Sequence, residues 1–93
     1  MVRPRSTLPS KFPNKVRLTL YMRAYCHLCE EMQQALLPWQ EQLGFGLNVV
    51  DIDADPQLVE RFDTLVPVLM AGDEEICHYF FDQLALTAYF SRV

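Results

Sequence analysis

The sequence predicts a small α/β fold built on one mixed four-stranded sheet with helices on both faces, in the order β-α-β-α-β-β-α. Three observations carry that expectation. Val16, Leu18, Leu20 and Met22 alternate with Arg17, Thr19 and Tyr21, and a long run with helical spacing follows at once. Near the other end, two short apolar runs are separated by Gly72-Asp73, the chemistry of a hairpin turn. A strand, a helix and a second strand in succession place the first two strands parallel, and the hairpin adds an antiparallel pair. One sheet covered by helices accommodates all of these elements.

Each element has its own local reasons. The first strand runs from Val16 to Met22. In the first helix Leu28, Met32, Ala35, Leu36, Trp39 and Leu43 recur at steps of three and four, one apolar stripe. Glu30 and Glu31 suit the positive end of its dipole. Pro38 is expected to kink or interrupt it, and Gly44 to end it. The β-branched run Leu47 to Ile52 reads as the second strand. Asp55-Pro56 is a cap followed by a first-turn proline, so a short helix begins there with Leu58, Val59 and Phe62 on one side. Val66 to Met70 is the third strand and Ile76 to Phe80 the fourth. Asp82 then caps a last helix through about Phe90, with Leu84, Ala85, Ala88 and Tyr89 expected to face inward.

Composition bounds the function classes. At 93 residues, with 51% hydrophobic and 22% charged, the chain has the make-up of an ordinary globular domain. No stretch approaches the roughly 18 apolar residues of a membrane span, and the basic start has no apolar run behind it, so neither a membrane nor secretion is expected. The expected compartment is the cytoplasm and the expected state a monomer. Residues 1–29 hold six of the eight Lys and Arg and no acid, whereas residues 30–93 set two bases against all twelve acids. Residues 1–14, broken by Pro4, Pro9 and Pro13, are expected to be a flexible basic tail, and residues 15–93 the folded domain. The acidic remainder would repel phosphate, so nucleic acid is not an expected partner.

The chemistry is concentrated at Cys26-His27-Leu28-Cys29, between the first strand and the first helix. Two cysteines at this spacing close a small disulfide without large backbone movement. Cys26 falls where the free N–H groups and the dipole of a helix stabilise a thiolate. His27 and Arg23 would lower its pKa further, with Glu30 and Glu31 opposing them. In a βαβ setting Cys-x-x-Cys is a redox signal; a structural pair is disfavoured where thiols are kept reduced. Zinc is the main alternative, because Cys26, His27, Cys29, Cys77 and His78 supply enough soft ligands. Against it, Cys77 and His78 adjoin in a strand and point to opposite faces, so no metal is expected. Cys77 reads as a small buried hydrophobe and His78 as an exposed strand residue. Asp51-Ile52-Asp53-Ala54-Asp55 opens like a calcium loop, but the sixth position is Pro56 and the twelfth Phe62. Val66-Pro67 places a proline at a strand entry, where a lost donor is tolerated.

Taken together, Leu18-Thr19-Leu20-Tyr21, Cys26-His27-Leu28-Cys29, Asp51-Ile52-Asp53, Asp55-Pro56 and Val66-Pro67-Val68-Leu69 resemble the glutaredoxin-like branch of the thioredoxin superfamily. The resemblance spans about residues 16–91. It implies a thioredoxin-like fold and a dithiol–disulfide oxidoreductase, with Cys26 the nucleophile and Cys29 the resolving cysteine. It also implies that Pro67 is cis and packs beside the cysteines, and that the backbone of Val66 pairs with an extended substrate. Tyr25, Val66, Pro67 and Asp82 are then the substrate-binding residues. The implied substrates are protein or glutathione disulfides, with no firm cofactor and glutathione as a candidate reductant. Two departures stand out: Arg23 is the base nearest the position of the family's usual lysine, and Tyr79-Phe80-Phe81 precede Asp82 where glutathione-using members carry two glycines. The alternatives are a binding module of the same fold, or a zinc or iron–sulfur carrier using the same cysteines.

Overall fold

The computed structural model describes residues 16–93. The expected tail over 1–14 and its boundary at residue 15 therefore lie outside the described residues. Four strands, β1 (Arg17–Met22), β2 (Gly46–Asp51), β3 (Val68–Ala71) and β4 (Glu74–His78), form one sheet in the order β2-β1-β3-β4. β1 and β2 are parallel, while β3 is antiparallel to both β1 and β4. Three helices, α1 (His27–Leu43), α2 (Pro56–Phe62) and α3 (Gln83–Arg92), complete the α/β architecture.

Strand alternation divides the core in two. Leu18 and Leu20 of β1 and Leu69 of β3, all fully buried, face α1 and α3, meeting Met32, Leu36 and Leu86. Val68 and Met70 face the other way, onto Phe62 of α2 and Ile52. Tyr21 joins that second layer and stacks on Phe62 with ring centroids 4.5 Å apart. Both faces of the sheet are thus covered, and the alternation in β1 is what assigns each residue to a layer.

Helix α1 runs through Pro38 without interruption. Pro38 is on the exposed face, where water can satisfy the carbonyl that loses its donor, while Leu36, Trp39 and Leu43 on the opposite face hold both halves against the core. The helix stops at Gly44, whose φ of 75° is the left-handed conformation that glycine adopts freely and whose N–H reaches the Gln40 carbonyl at 2.8 Å. α2 begins as expected, with the Asp55 carboxylate accepting from the Gln57 N–H at 2.9 Å and Pro56 in the first turn.

All four strands have boundaries that differ from the sequence reading, β1 by one residue at its start and the others at both ends. Ile52 lies beyond β2, in a 3-10 turn (Ile52–Ala54), where it is fully buried. Val66 and Pro67 precede β3. β4 begins and ends two residues early, because the tight turn at Gly72 sets Glu74 opposite Ala71. Leu69 pairs with Cys77 and Met70 with Glu75, so Ile76 is an extra residue, a bulge. It explains why two consecutive residues, Ile76 and Cys77, enter the same core layer.

The inward face of α3 is also corrected. Leu86 is fully buried, with Ala85, Tyr89 and Phe90 packed beside it, whereas Leu84 is 79% exposed and Ala88 is exposed. The ring of Phe90 stacks on Phe45 at 5.4 Å, and this contact rotates the helix so that Leu86 and Phe90, one turn apart, share the buried side.

Candidate active site

Cys26 is the N-cap of α1, with extended backbone (φ −107°, ψ 107°). Its sulfur accepts the N–H of Cys29 at 3.1 Å, satisfying one of the donors that a helix start leaves free. The two sulfurs are bonded, across a Cα–Cα distance of 5.1 Å. Their surroundings differ. Cys26 keeps partial access to solvent, whereas Cys29 is fully buried among Ile52, Phe62, Val66 and Val68. Tyr25, immediately before, is wholly exposed and held at φ 58°, a conformation that side chains disfavour.

The Val66–Pro67 bond is cis. Val66 packs in the same cluster as Cys26 and Cys29, and Pro67 is buried beside it. The Val66 N–H donates to the Phe62 carbonyl at 3.2 Å. The Pro67 carbonyl accepts from Tyr79 N–H at 2.8 Å, tying the end of β4 to the proline. Tyr79 is the second non-glycine residue with positive φ, at 70°. Both left-handed tyrosines therefore flank the dithiol region, and such conformations persist where surrounding structure enforces them.

The two bases expected near the thiolate are each occupied by acids. Arg23 forks onto the Asp53 carboxylate at 2.6 and 3.2 Å and also pairs with Asp63. The hydrogen bond to Asp53, with that to Asp63, raises the Arg23 pKa above its usual value, and the same bond lowers that of Asp53. The Arg23–Asp53 contact spans 30 residues of the chain. His27 is exposed and pairs with Glu31, one helical turn on, at 2.7 Å. What remains directly on the Cys26 sulfur is the start of α1.

Asp82 caps α3, its carboxylate accepting the Ala85 N–H at 3.0 Å. It also lines an open groove of about 670 Å³ with Cys77, His78 and Phe80. Cys77 is 7% exposed, and burial pushes its thiol pKa up, opposed by a hydrogen bond from the Asp82 backbone. After reduction at neutral pH, iodoacetamide should therefore modify Cys26 well before Cys77; peptide mapping of the alkylated protein reads the order. His78 is exposed and pairs with Glu75 at 2.6 Å. Among the described residues no group of three or more His, Cys, Asp and Glu side chains is arranged to hold a metal ion. Nor is any described helix long and apolar enough to cross a membrane.

The aromatic trio before α3 divides between core and solvent. Only Phe81 packs on the core; Tyr79 and Phe80 are 45% and 65% exposed. The turn at Tyr79 directs them outward, and no periodicity in the sequence marks such a turn.

The fold that holds this dithiol has counterparts among known proteins. The family model described as Glutaredoxin-like domain (DUF836) matches residues 17–91. The chain belongs to this family of glutaredoxin-like domains. Protein Ne2328 from Nitrosomonas europaea, solved by NMR, is 41% identical; the match covers 82% of this chain and 92% of that one, with a TM-score of 0.75. Target protein XcR50 from X. campestris is 35% identical over 82% and 97% of the two chains, with a TM-score of 0.64. The germline-specific thioredoxin Deadhead from Drosophila melanogaster is 17% identical over 87% and 83%, with a TM-score of 0.56. That likeness concerns the fold, and the glutaredoxin-like domain is thioredoxin-like in architecture. No curated protein gives a significant match.

Proposed function

We propose that this glutaredoxin-like domain is a dithiol–disulfide oxidoreductase acting on protein or glutathione mixed disulfides. The observation that carries the reading is the asymmetry of the pair: Cys26 sits at the helix start with its sulfur on an N–H and open to solvent, and Cys29 is sealed behind it. In the reduced protein the Cys26 thiolate attacks a substrate sulfur. A Cys26–substrate disulfide forms, and the other half of the substrate leaves as a thiolate that takes up a proton. Cys29, deprotonated, then attacks the Cys26 sulfur, which releases the second substrate thiol and closes the Cys26–Cys29 bond. The substrate gains two electrons and the dithiol loses two. An outside thiol, with glutathione the candidate, returns them. Val66 shares a cluster with Cys26, Tyr25 precedes Cys26 and Pro67 follows Val66; these three are assigned to substrate contact, and Asp82 to the outer end of that surface. Arg23 and His27, each paired with acids, are assigned only a weak influence on the thiolate.

A redox titration in glutathione buffers, read by alkylation and intact mass, tests the reading. Loss of two protons at Cys26 and Cys29 with a midpoint in the range of about −120 to −270 mV would support it. A pair that remains reduced across that range would refute it.

A further inference from the structure

The groove between β4 and the first turn of α3 is lined by Phe80, Phe81 and Leu84 together with Glu75 and Asp82, and the end of β4 that enters it is in register, through Val68, with Tyr21 at the end of β1 that leads to the dithiol. Phe80 and Leu84 reach into it while 65% and 79% exposed, and Glu75 and Asp82 border it. Seven large hydrophobic residues are exposed among the described residues, and three of them, Tyr79, Phe80 and Leu84, fall within six residues at the end of β4 and the start of α3, the rings of Tyr79 and Phe80 meeting edge to face at 5.1 Å. Clustering of that kind marks an interaction surface. β4 is the edge of the sheet among the described residues. Its bulge and Glu74-Glu75 guard it against simple strand addition, so recognition there falls to side chains.

We propose that this groove docks the protein carrying the disulfide, through an extended basic segment that seats an apolar side chain against Phe80 and Leu84. The inference rests on the oxidoreductase reading and names its substrate class. Charge selects the occupant. Residues 73–93 hold four acids, Asp73, Glu74, Glu75 and Asp82, against Arg92, which pairs with Glu74, and His78, which pairs with Glu75; Glu75 and Asp82 line the groove itself. A second copy docked groove to groove would set these acids against themselves, whereas lysines on a partner would meet them. Reach fixes the spacing. The tops of β4, β3 and β1 succeed one another, and Tyr79 is bonded to Pro67 on the way. Two strand spacings are about 10 Å, so about three extended residues carry the partner's cysteine from the groove to Cys26.

The test uses peptides of the pattern Cys-Gly-Gly-Leu-Lys-Leu-Lys, with the cysteine joined to 5-thio-2-nitrobenzoate. Attack by Cys26 on the peptide sulfur forms the mixed disulfide and expels the coloured thiolate. Rates are divided by that of N-acetylcysteine carrying the same leaving group, with Cys26→Ser protein as the blank. The lysine peptide should react about tenfold faster than N-acetylcysteine at low salt, and the advantage should shrink as salt rises. A glutamate-for-lysine peptide should show no advantage. Phe80→Ser with Leu84→Ser should bring the ratio to about one, while Leu37→Ser, a half-exposed apolar position on α1, should leave it in place. A ratio near one in the unsubstituted protein, or one that survives the Phe80 and Leu84 changes, overturns the groove. Failure to attack N-acetylcysteine disulfide as well overturns the oxidoreductase reading and the groove with it.

Discussion

Replacing Cys29 with serine is expected to turn the proposed catalyst into a trap, with the protein accumulating as a Cys26–substrate mixed disulfide. The second step is intramolecular: Cys29 is already positioned one helical turn from Cys26, with Cα atoms 5.1 Å apart. Positioning of that kind confers a large effective molarity. Without it, release depends on an outside thiol, and turnover on a protein disulfide should fall by at least about 10²-fold. Replacing Cys26 with serine should abolish turnover and adduct together, because a hydroxyl at the helix start has no thiolate to offer. Cys29 is fully buried in an apolar cluster, so a serine there also buries an unpartnered hydroxyl, at a cost of about 1–3 kcal/mol. Cys29→Ala avoids that cost and should trap the same adduct. Intact mass after exposure to a substrate disulfide reads all three variants. An adduct on Cys26→Ser, or none on either Cys29 variant, would contradict the assigned roles.

The parts of the molecule that were legible are those whose causes are local. Alternation in β1, the Asp55-Pro56 cap, Gly44 and the Asp82 cap are each decided within a few residues, and each appears where the chain predicts it. The dithiol was legible because its spacing alone brings two sulfurs together at a helix start. What escaped depends on distant partners. Arg23 looked like a thiolate neighbour until the fold brought Asp53 and Asp63 to it, 30 and 40 residues along. The bulge at Ile76 hid the register of β4 behind an apparently regular run. Tyr79 adopts a left-handed turn with no glycine to announce it, because the bond to Pro67 holds it there. The exposed end of the site was therefore the least readable part, being set by tertiary contacts and not by composition.

The rotation of α3 makes a second large effect predictable, in the form of a contrast between two leucines. Leu69→Ala should destabilise the protein by about 2–5 kcal/mol. Leu69 is fully buried at the centre of the sheet, paired with Leu20 on one side and Cys77 on the other, beneath α1 and α3. Strands on both sides and helices above limit collapse into the space left by the missing side chain, which pushes the cost toward the upper half of that range. For a domain of this size, total stability is on the order of 5–10 kcal/mol, so the variant should lose a large fraction of it. Leu84→Ala, in a leucine that helical spacing alone would have placed inward, should change stability by less than about 0.5 kcal/mol, because the side chain is 79% exposed. Urea unfolding of the two variants, with slopes unchanged, measures both numbers directly. Equal losses would mean that α3 presents Leu84 to the core in solution, and the apolar wall of the groove would disappear with it.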